Sequence, residues 1–469
     1  MLRHHPGSAG GEDRIGTVEA VAERALDRQT LLSRYRDTRA LSVELCRPLK
    51  AEDYRIQSMP DVSPPWWNLG HTSWFFAKNV LEPFGRYRAA DARLEYALNS
   101  YYESLGPRLA RDHRGLVTRP TTDEVFRFRS SVDERLEAIL REAPEDDLPR
   151  LRFLVFTGIQ HEQQHQELLV TEIKHILGAN VPELREPYLA GVGYPSAPPS
   201  APAAPLRFVS FAAGLHEFGN LEGGWCWDNE MPVHRAWLDG YALADRLVTN
   251  GEYLEFVDAG GYSDPLLWLA NGWARARDAG WSAPLYWERD AAGAHGGWRQ
   301  WTLAGLCDLD LEEPVAHVSF YEADAFARWQ ARSGGERAGT RLPTEREWER
   351  AARLSGFPGQ AANFLDPRVL HPRPAGGHRR SGESAGGPLA QMGGDLWEWT
   401  TNHYEPYPGY QPFDGALMEY NGKFMDNQRV LRGGSCATPA DHIRPSYRNF
   451  WPPDTRFQFT GIRLARTER

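Results

Sequence analysis

Apolar residues recur at every third or fourth position from the N-terminal region to Gly178, which is the spacing of one helix face. The pattern predicts helices over residues 17–46, 71–82, 92–105, 121–143 and 149–177, with breaks that contain Pro and Gly. Thr121 stands just before an acidic first turn, where a capping side chain is expected. Four or five helices within about 165 residues predict a helical bundle, a fold whose core can hold a metal site.

The pattern changes after residue 207. Short strands are predicted at residues 208–211 and 430–434, and helices at 249–257, 319–332 and 345–354. Residues 363–388 form a long predicted loop. Most of the 17 Trp, 18 Tyr and 20 Phe residues lie in this half, and the chain contains 44 Gly and 34 Pro. This composition predicts an irregular, loop-rich α+β half rather than a second bundle.

A stretch rich in Pro, Ala and Ser at residues 190–206 marks the clearest boundary in the chain. With 469 residues the chain is too long for one hydrophobic core. We therefore expect a disordered tail at residues 1–15, a helical bundle at 16–189, a linker at 190–206 and a second domain at 207–469.

Composition narrows the class of protein. The net charge of −10 disfavours nucleic acid as a partner. The N-terminus lacks the apolar segment of a signal peptide and no 18-residue apolar run occurs, so we expect neither secretion nor a membrane partner. Four cysteines without Cys-x-x-Cys spacing fit the reducing cytoplasm. We expect small-molecule substrates, and the sequence predicts no oligomeric state.

The strongest chemical signal is the pair His161 and His165 on the last predicted helix of the bundle. Two residues four positions apart on a helix lie on the same face, close enough to bind one metal ion. His71, which follows a double proline and two tryptophans, is the natural third ligand. Three neutral imidazoles with open coordination positions suit Fe(II), Zn or Cu.

The same stretch matches His-Glu-x-x-His, in which the glutamate is the general base of zinc proteases. A zinc hydrolase that uses His161, Glu162 and His165 is therefore one alternative. In such an enzyme Glu162 is indispensable, whereas in an oxygenase we expect glutamine to be tolerated there. A third reading is a non-catalytic binding module, although such a module does not require three histidines in the helical half.

Two further groups have candidate chemistry. The adjacent phenols of Tyr101 and Tyr102 precede Gly106-Pro107, and a buried phenol near a metal can donate a proton. In the second half, charged residues stand within strings of Trp and Gly, and we expect these side chains to be buried, paired and structural: Glu345, Glu398 and Arg432.

Six strings along the chain together resemble the ergothioneine-biosynthesis sulfoxide synthases (EgtB-type): residues 69–76, 99–102, 161–167, 341–345, 394–400, and 420–425 with 430–438. The resemblance covers most of the chain apart from the tail, the linker and the 363–388 loop. It implies a DinB-like four-helix bundle followed by a C-type-lectin-related domain like that of formylglycine-generating enzyme.

The resemblance also implies a mononuclear non-haem Fe(II) held by His71, His161 and His165, with O2 as co-substrate. It implies an oxidoreductase that joins a thiol to C2 of the imidazole of hercynine (Nα-trimethylhistidine) and gives a sulfoxide. Glu162 then takes a structural role beside the ligands.

The tyrosines at Tyr101 and Tyr102 resemble the branch of the family in which free cysteine is the thiol donor, and one of them is expected to donate the proton. Other members use γ-glutamylcysteine and place the tyrosine in the C-terminal domain, where Tyr404 and Tyr407 stand in this chain. We therefore include Tyr404 among the candidate substrate contacts.

The remaining candidate contacts also follow from the resemblance. Gln164 and Asn449 map to positions that contact hercynine, and three arginines are candidates for holding the donor's carboxylate: Arg111, Arg444 and Arg448.

Some positions depart from the family pattern, among them Asn220, Trp227 and Asn68. Such changes leave open a related activity, selenoneine synthase, which joins a selenosugar to hercynine. Formylglycine-generating enzyme itself is disfavoured because the C-terminal cysteines show no counterpart of its catalytic cysteine pair.

Overall fold

The structure is a computed structural model that describes residues 27–89, 91–190, 205–290, 293–335, 338–359, 362–375 and 389–468. The predicted tail at 1–15, residues 191–204 of the predicted linker and residues 376–388 of the predicted loop lie outside this part of the chain. Among the described residues, no helix combines the length and the apolar character needed to cross a membrane.

The first half is helical. Its helices are α1 (Arg28–Cys46), α2 (Pro65–Phe76), α3 (Ala92–Leu98), α4 (Thr122–Glu142) and α5 (Leu148–Gly178). The Thr121 side chain caps α4 in a reciprocal capping box with Glu124, which confirms the predicted helix start. The predicted ends of α4 and α5 agree with the structure to within one residue.

Helix α2 begins six residues before the predicted start at residue 71. Pro65 is its first residue, a position where the missing N–H of proline costs no hydrogen bond. Pro64, the residue before it, is still extended, and His71 lies in the middle of α2. A short π-helical segment, Ala77–Leu81, continues the helix to within one residue of the predicted end at residue 82.

Helix α3 ends at Leu98, so Tyr101 and Tyr102 lie in a loop rather than at the end of a helix. The Asn99 side chain stabilises this loop, because it accepts from Tyr102 N and donates to the carbonyls of Tyr102 and Gly106. Such local side-chain bonds compete with the helical pattern and end the helix early.

The bundle packs around α5. Gly158 allows α2 to approach closely, since a Cβ there would lie 2.3 Å from the ring of Phe76. The buried apolar side chains of this core include Leu31, Tyr35, Phe76, Val132, Leu136, Leu151, Val155 and Ile159.

A charged cluster lies inside the same core. Glu162 of α5 is fully buried and accepts from Arg39 of α1 at 2.7 Å, from Arg129 of α4 at 2.5 Å and from Ser42 at 2.6 Å. Burial alone raises the pKa of Glu162, but the guanidiniums of Arg129 and Arg39 outweigh it and hold the pKa below its ordinary value. Glu162 therefore links three helices as an anion.

The second half contains short strands: β1 (Phe208–Phe211), β2 (Gly214–Phe218), β3 (His234–Leu238), β4 (Tyr241–Ala244), β5 (Trp287–Arg289), β6 (Trp298–Thr302), β7 (Gly305–Asp308), β8 (Thr340–Arg341), β9 (Trp397–His403), β10 (Arg429–Arg432), β11 (Asn449–Trp451), β12 (Thr460–Gly461) and β13 (Ala465–Thr467). The sheet orders are β1-β4-β13-β8, β11-β10-β9-β12 and β5-β6-β7, with β2-β3 as a hairpin. All pairs are antiparallel except β9 and β12.

Four longer helices join these strands: α6 (Asn250–Asp258), α7 (Ala270–Asp278), α8 (Phe320–Arg332) and α9 (Glu345–Leu354), with a single turn at Ala294–Gly297. The predicted fold class, a helical part followed by an irregular α+β part, is confirmed. The predicted strand at 208–211 is correct, whereas most other strands have only two to five residues and too little periodicity to predict.

The charged residues predicted to be structural are buried and paired. Glu398 accepts from Arg463 at 2.7 Å, Arg432 donates to Glu349 at 2.5 Å, and Glu345 accepts from Arg448 at 3.0 Å. These pairs join β9, β10 and α9 below the surface of the second half.

Replacing Glu162 by glutamine is expected to lower the free energy of unfolding by about 3–5 kcal/mol, because two buried guanidiniums lose their counter-charge. The matched control is Glu137→Gln, since Glu137 also bonds two arginines, Arg36 and Arg141, but near the surface. That change should cost about 1 kcal/mol or less. Urea unfolding of both variants measures the difference. Equal losses in the free energy of unfolding would show that the buried ion pairs of Glu162 stabilise the fold no more than surface pairs do.

Candidate active site

Three imidazoles meet where α2 and α5 cross. His71 comes from α2, His161 and His165 from α5, and one ring nitrogen of each lies within 4.8 Å of the others. The ring centroids are 5.0, 4.9 and 4.6 Å apart. In the part of the chain that the structure describes, this is the one cluster of three metal-binding side chains at such distances.

Hydrogen bonds fix which nitrogen two of the three rings offer. Nδ1 of His71 donates to the carbonyl of Leu98 at 2.7 Å, and Nδ1 of His165 donates to Oδ1 of Asn68 at 2.7 Å. The Asn68 amide is oriented in turn, because its nitrogen donates to Glu172 at 2.6 Å. The lone pairs of both histidines are therefore on Nε2, which is the arrangement that outer-shell partners impose on metal-binding histidines.

All three rings are buried, and burial lowers their pKa well below the ordinary value of histidine. The proximity of the other rings, His165 for His71 and His161 for His165, lowers the pKa further. At neutral pH the rings are thus uncharged and keep a lone pair for a metal ion. His161 stacks on Phe75 with centroids 4.0 Å apart, and its buried Nδ1 has no hydrogen-bond partner among the described residues.

Glu162 does not face this centre. Both of its carboxylate oxygens bond Arg39, Arg129 or Ser42 in the bundle core, and its side chain has no exposed surface. A general base must reach a water beside the metal, so this geometry does not support the hydrolase reading. The expectation that glutamine is tolerated at this position overlooked the two arginines.

A cavity of about 400 Å³ opens beside the histidines, between the two halves of the chain. The helical half contributes Trp67, Tyr101, His161 and other side chains, and the second half contributes mainly aromatic and amide side chains: Trp227, Tyr420, Phe424, Tyr447, Asn449, Phe450 and Trp451. This size suits a small molecule.

Tyr101 and Tyr102 occupy different positions. Tyr101 lines the cavity, whereas Tyr102 is fully buried behind it, with the rings stacked at 4.7 Å. The Tyr102 hydroxyl has no hydrogen-bond partner among the described residues. Burial raises the pKa of both phenols, so each stays protonated at neutral pH.

The loop that carries these tyrosines is held from the second half by Glu419 and Lys423, which we term the clasp. Glu419 accepts from the backbone N–H groups of Glu103 and Ser104 at 3.1 and 2.9 Å, and Lys423 donates to the carbonyl of Tyr101. Burial alone raises the pKa of Glu419, but hydrogen bonds from Lys423 and Ser104 lower it to about 2. The stability that the clasp contributes is therefore complete above a pH of about 4.5 and is lost as the pH falls toward 2.

Sequence reasoning did not assign a role to Tyr420. Its ring stacks on Trp227 with centroids 4.2 Å apart and lies edge-on to His161 at 5.8 Å. Its hydroxyl donates to Oε1 of Gln164. The signal was present, because Tyr420 and Lys423 belong to the string at 420–425 and Glu419 stands directly before it, but no motif connected them to the histidines.

The predicted arginines divide into two groups. Arg111 lines the cavity, and its guanidinium makes no hydrogen bond or ion pair with any described residue. Arg448 also lines the cavity, but it is bonded to Glu345 and to the carbonyls of Asn229 and Glu405.

Arg444 is not brought to the cavity wall. It forms a two-point ion pair with the buried Glu230, and its third nitrogen donates to the carbonyl of His442. The pairing of Arg444 and Arg448 leaves Arg111 as the candidate that can bind a carboxylate.

Gln164 and Asn449 both line the cavity, as predicted for substrate contacts. Tyr404 does not line it, because its hydroxyl accepts from Asn229 at 2.8 Å and its ring stacks under Phe450 at 4.1 Å. Its neighbour Tyr407 lies against the guanidinium of Arg448. These tyrosines support the cavity wall rather than reach the histidines.

Two family models match the chain. The DinB superfamily model matches residues 34–169, and the model described as the sulfatase-modifying factor enzyme 1-like domain matches residues 196–468. The matched segments correspond to the helical half and to the α+β half of the structure.

Curated relatives match over both halves. The chain is 31% identical to the hercynine oxygenase of Mycolicibacterium thermoresistibile, over 96% of each chain. It is 35% identical to the hercynine oxygenase of Mycolicibacterium smegmatis, over 69% of this chain and 73% of the relative. The formylglycine-generating enzyme of Streptomyces coelicolor is 30% identical over 57% of this chain and 91% of the relative.

Replacing Asn68 by alanine is expected to weaken metal binding about 10- to 100-fold, because His165 loses the acceptor that orients it. The control is Asn79→Ala, a buried asparagine just after α2 whose side chain donates only to the carbonyl of Phe75. Titration of each purified variant with Fe(II) or Zn(II) gives the dissociation constants. Similar constants for both variants would mean that Asn68 does not set the orientation of His165.

Replacing Glu419 by alanine is expected to speed hydrogen exchange, most at the amide of Ser104, because Ser104 loses its acceptor and Glu103 keeps only the carbonyl of Tyr101. The control is Glu405→Ala, since that exposed side chain makes no such bond. Exchange followed by mass spectrometry over residues 99–106 measures the effect. Unchanged exchange in the Glu419 variant would show that the clasp does not hold the tyrosine loop.

Proposed function

The chain belongs to the hercynine oxygenase family, and on this premise we propose that it is an iron(II)-dependent sulfoxide synthase of ergothioneine biosynthesis. In the proposed reaction a C–S bond between C2 of the hercynine imidazole and the sulfur of cysteine replaces the C2–H and S–H bonds. One oxygen atom of O2 stays on the sulfur as the sulfoxide, and the other leaves with the two hydrogen atoms as water. As an oxygenase the chain is an enzyme, so the reading as a non-catalytic binding module is wrong.

One observation carries the proposal: three uncharged imidazoles lie together beside a cavity of about 400 Å³, and hydrogen bonds orient the lone pairs of two of them. The donor set fits Fe(II), because His71, His161 and His165 supply three nitrogen ligands and leave other positions open. Bound there, Fe(II) would supply coordination positions for a thiolate and O2 and the electrons for oxygen chemistry.

The chain's own side chains would bind and orient hercynine. Its trimethylammonium group suits an aromatic wall, and Trp227, Tyr420 and Phe424 provide aromatic faces on the cavity. Gln164 and Asn449 supply amide groups for the imidazole. The planar guanidinium of Arg111 would hold the carboxylate of the donor in two-point contact.

Tyr101 is the proposed proton donor, since it lines the cavity and burial keeps its phenol protonated. Tyr102 would act behind it, as the stacked ring that fixes its orientation. The clasp holds the backbone of this loop through the carbonyl of Tyr101.

We also propose the boundaries 16–189 and 207–469 for the two domains, supported by the change from helices to short strands between Leu184 and Phe208. A cytoplasmic location is proposed as well, and four unpaired cysteines are consistent with it.

The test is an incubation of the anaerobically Fe(II)-loaded protein with hercynine, followed by addition of O2 and one donor at a time. Cysteine, γ-glutamylcysteine and a selenosugar are tried separately, and mass spectrometry identifies the products. Hercynylcysteine sulfoxide is the expected product. A coupled product with the selenosugar alone would identify a selenoneine synthase, and no coupled product with any donor would overturn the proposal.

Replacing Tyr101 by phenylalanine is expected to reduce kcat about 10²- to 10⁴-fold, the usual contribution of a positioned acid. Tyr102→Phe is the matched control and should reduce kcat much less, because Tyr102 is fully buried and does not line the cavity. The rate of sulfoxide formation measures both. A doubly substituted protein that makes sulfoxide at the normal rate would exclude Tyr101 and Tyr102 as the proton donor.

A further inference from the structure

A chain of hydrogen bonds runs from the cavity into the seam between the two halves. The Tyr420 hydroxyl donates to Oε1 of Gln164, and Nε2 of Gln164 donates to the Tyr447 oxygen at 2.7 Å. Nε2 of His442 lies 2.9 Å from the same oxygen. His442 is 1% exposed, and neither it nor Tyr447 contacts the three histidines of the metal site through a hydrogen bond.

The chain continues outward from His442. Nδ1 of His442 lies 2.8 Å from Oε1 of Gln160, and Nε2 of Gln160 donates to Oε1 of Gln163 at 3.0 Å. Gln163 donates to Asp441, whose other carboxylate oxygen accepts from Arg34 at 2.5 Å. The last carboxylate is about half exposed, with 52% of its side-chain surface accessible.

Asp441, at the outer end of this hydrogen-bond chain, determines which group donates and which accepts in every bond of it. An ionised carboxylate only accepts, so Gln163 must present its nitrogen to Asp441 and its oxygen to Gln160. Gln160 then presents its nitrogen to Gln163 and its oxygen to His442. The ring nitrogen facing that oxygen must carry a proton, which places the proton of neutral His442 on Nδ1.

The inner half follows from this tautomer. Nε2 of His442 has only a lone pair, so it accepts the proton of the Tyr447 hydroxyl. The Tyr447 oxygen then accepts from Gln164, which leaves the amide oxygen of Gln164 toward Tyr420. Burial lowers the pKa of His442 well below its ordinary value, and the nearby Arg444 lowers it further, which keeps the ring neutral.

We infer that His442 is a positioning residue that acts through Tyr447 to hold the amide of Gln164 in one of its two possible orientations. This inference rests on the proposed function, because it concerns how Gln164 meets the imidazole of hercynine. The two ends of an amide have the same shape but opposite hydrogen-bonding character. A reversed Gln164 amide would therefore present a donor to the imidazole where the correct orientation presents an acceptor, or an acceptor in place of a donor. His442 and Tyr447 thereby contribute to the choice of substrate through the orientation of Gln164.

The first test is calorimetric titration of hercynine into the full-length, Fe(II)-loaded protein under argon. His442→Phe and Tyr447→Phe are each expected to raise the dissociation constant about tenfold, the effect of losing one oriented hydrogen bond. The doubly substituted protein should match the single variants, because both act through one bond. His442→Gln, whose oxygen can accept from Tyr447, should recover most of the affinity.

The control is His371→Phe, another buried histidine of the second half, whose Nε2 lies 2.8 Å from Glu313. It should leave the hercynine dissociation constant unchanged even where it lowers thermal stability. The affinity for the metal should be the same in all variants. Wild-type affinity in His442→Phe, or equal losses in the control, would overturn the inference.

The second test does not depend on hercynine. In protein labelled with ¹⁵N-histidine, the chemical shifts of His442 report which ring nitrogen carries the proton. The expected state is the neutral Nδ1–H tautomer, and an Nε2–H tautomer or an imidazolium would overturn the inference. Failure of the wild-type protein to bind hercynine would instead count against the proposed function. The tautomer of His442 would still decide whether the hydrogen bonds have the inferred donors and acceptors.

Discussion

Burial of the polar side chains of helix α5 is the constraint on which the rest of the structure depends. The helix is covered by the bundle on one side and by the α+β half on the other, so its Glu, Gln and His residues are nearly all removed from water. Each such group is costly to bury unless it is paired. Glu162 finds arginines in the bundle, Glu167 accepts from Trp397 across the seam, and the two histidines of α5 face the cavity.

The partners of Glu162 explain why the protease-like string is misleading. Successive residues on a helix are rotated by about 100°, so Glu162 extends from α5 to one side of the two histidines, where it meets residues of the bundle. In this chain the Glu162 side chain lies in the bundle core, beside the buried guanidiniums of Arg39 and Arg129. The spacing of the histidines is therefore informative about metal binding, whereas the glutamate between them is a structural residue of the bundle.

The sequence was sufficient for the fold class, for the long helices and for the three histidines, because these depend on local periodicity and on the spacing of unusual side chains. It was insufficient for partners that are distant in the chain. Arg444 and Arg448 were predicted to hold a substrate, but they are paired with Glu230 and Glu345, which lie 214 and 103 residues away. Sequence periodicity does not predict such pairs. It also does not predict the hydrogen bond between Asn68 and His165, which are 97 residues apart.

The cavity wall is built from both halves of the chain, which limits how the halves can be exchanged between relatives. Its metal-binding side chains come from one half, whereas much of its aromatic surface and the clasp come from the other. Exchanging one half between two relatives would transfer the metal-binding histidines without the aromatic wall and the clasp that belong to them, even if both halves folded well. The site is therefore complete only when the two halves match each other along the cavity wall.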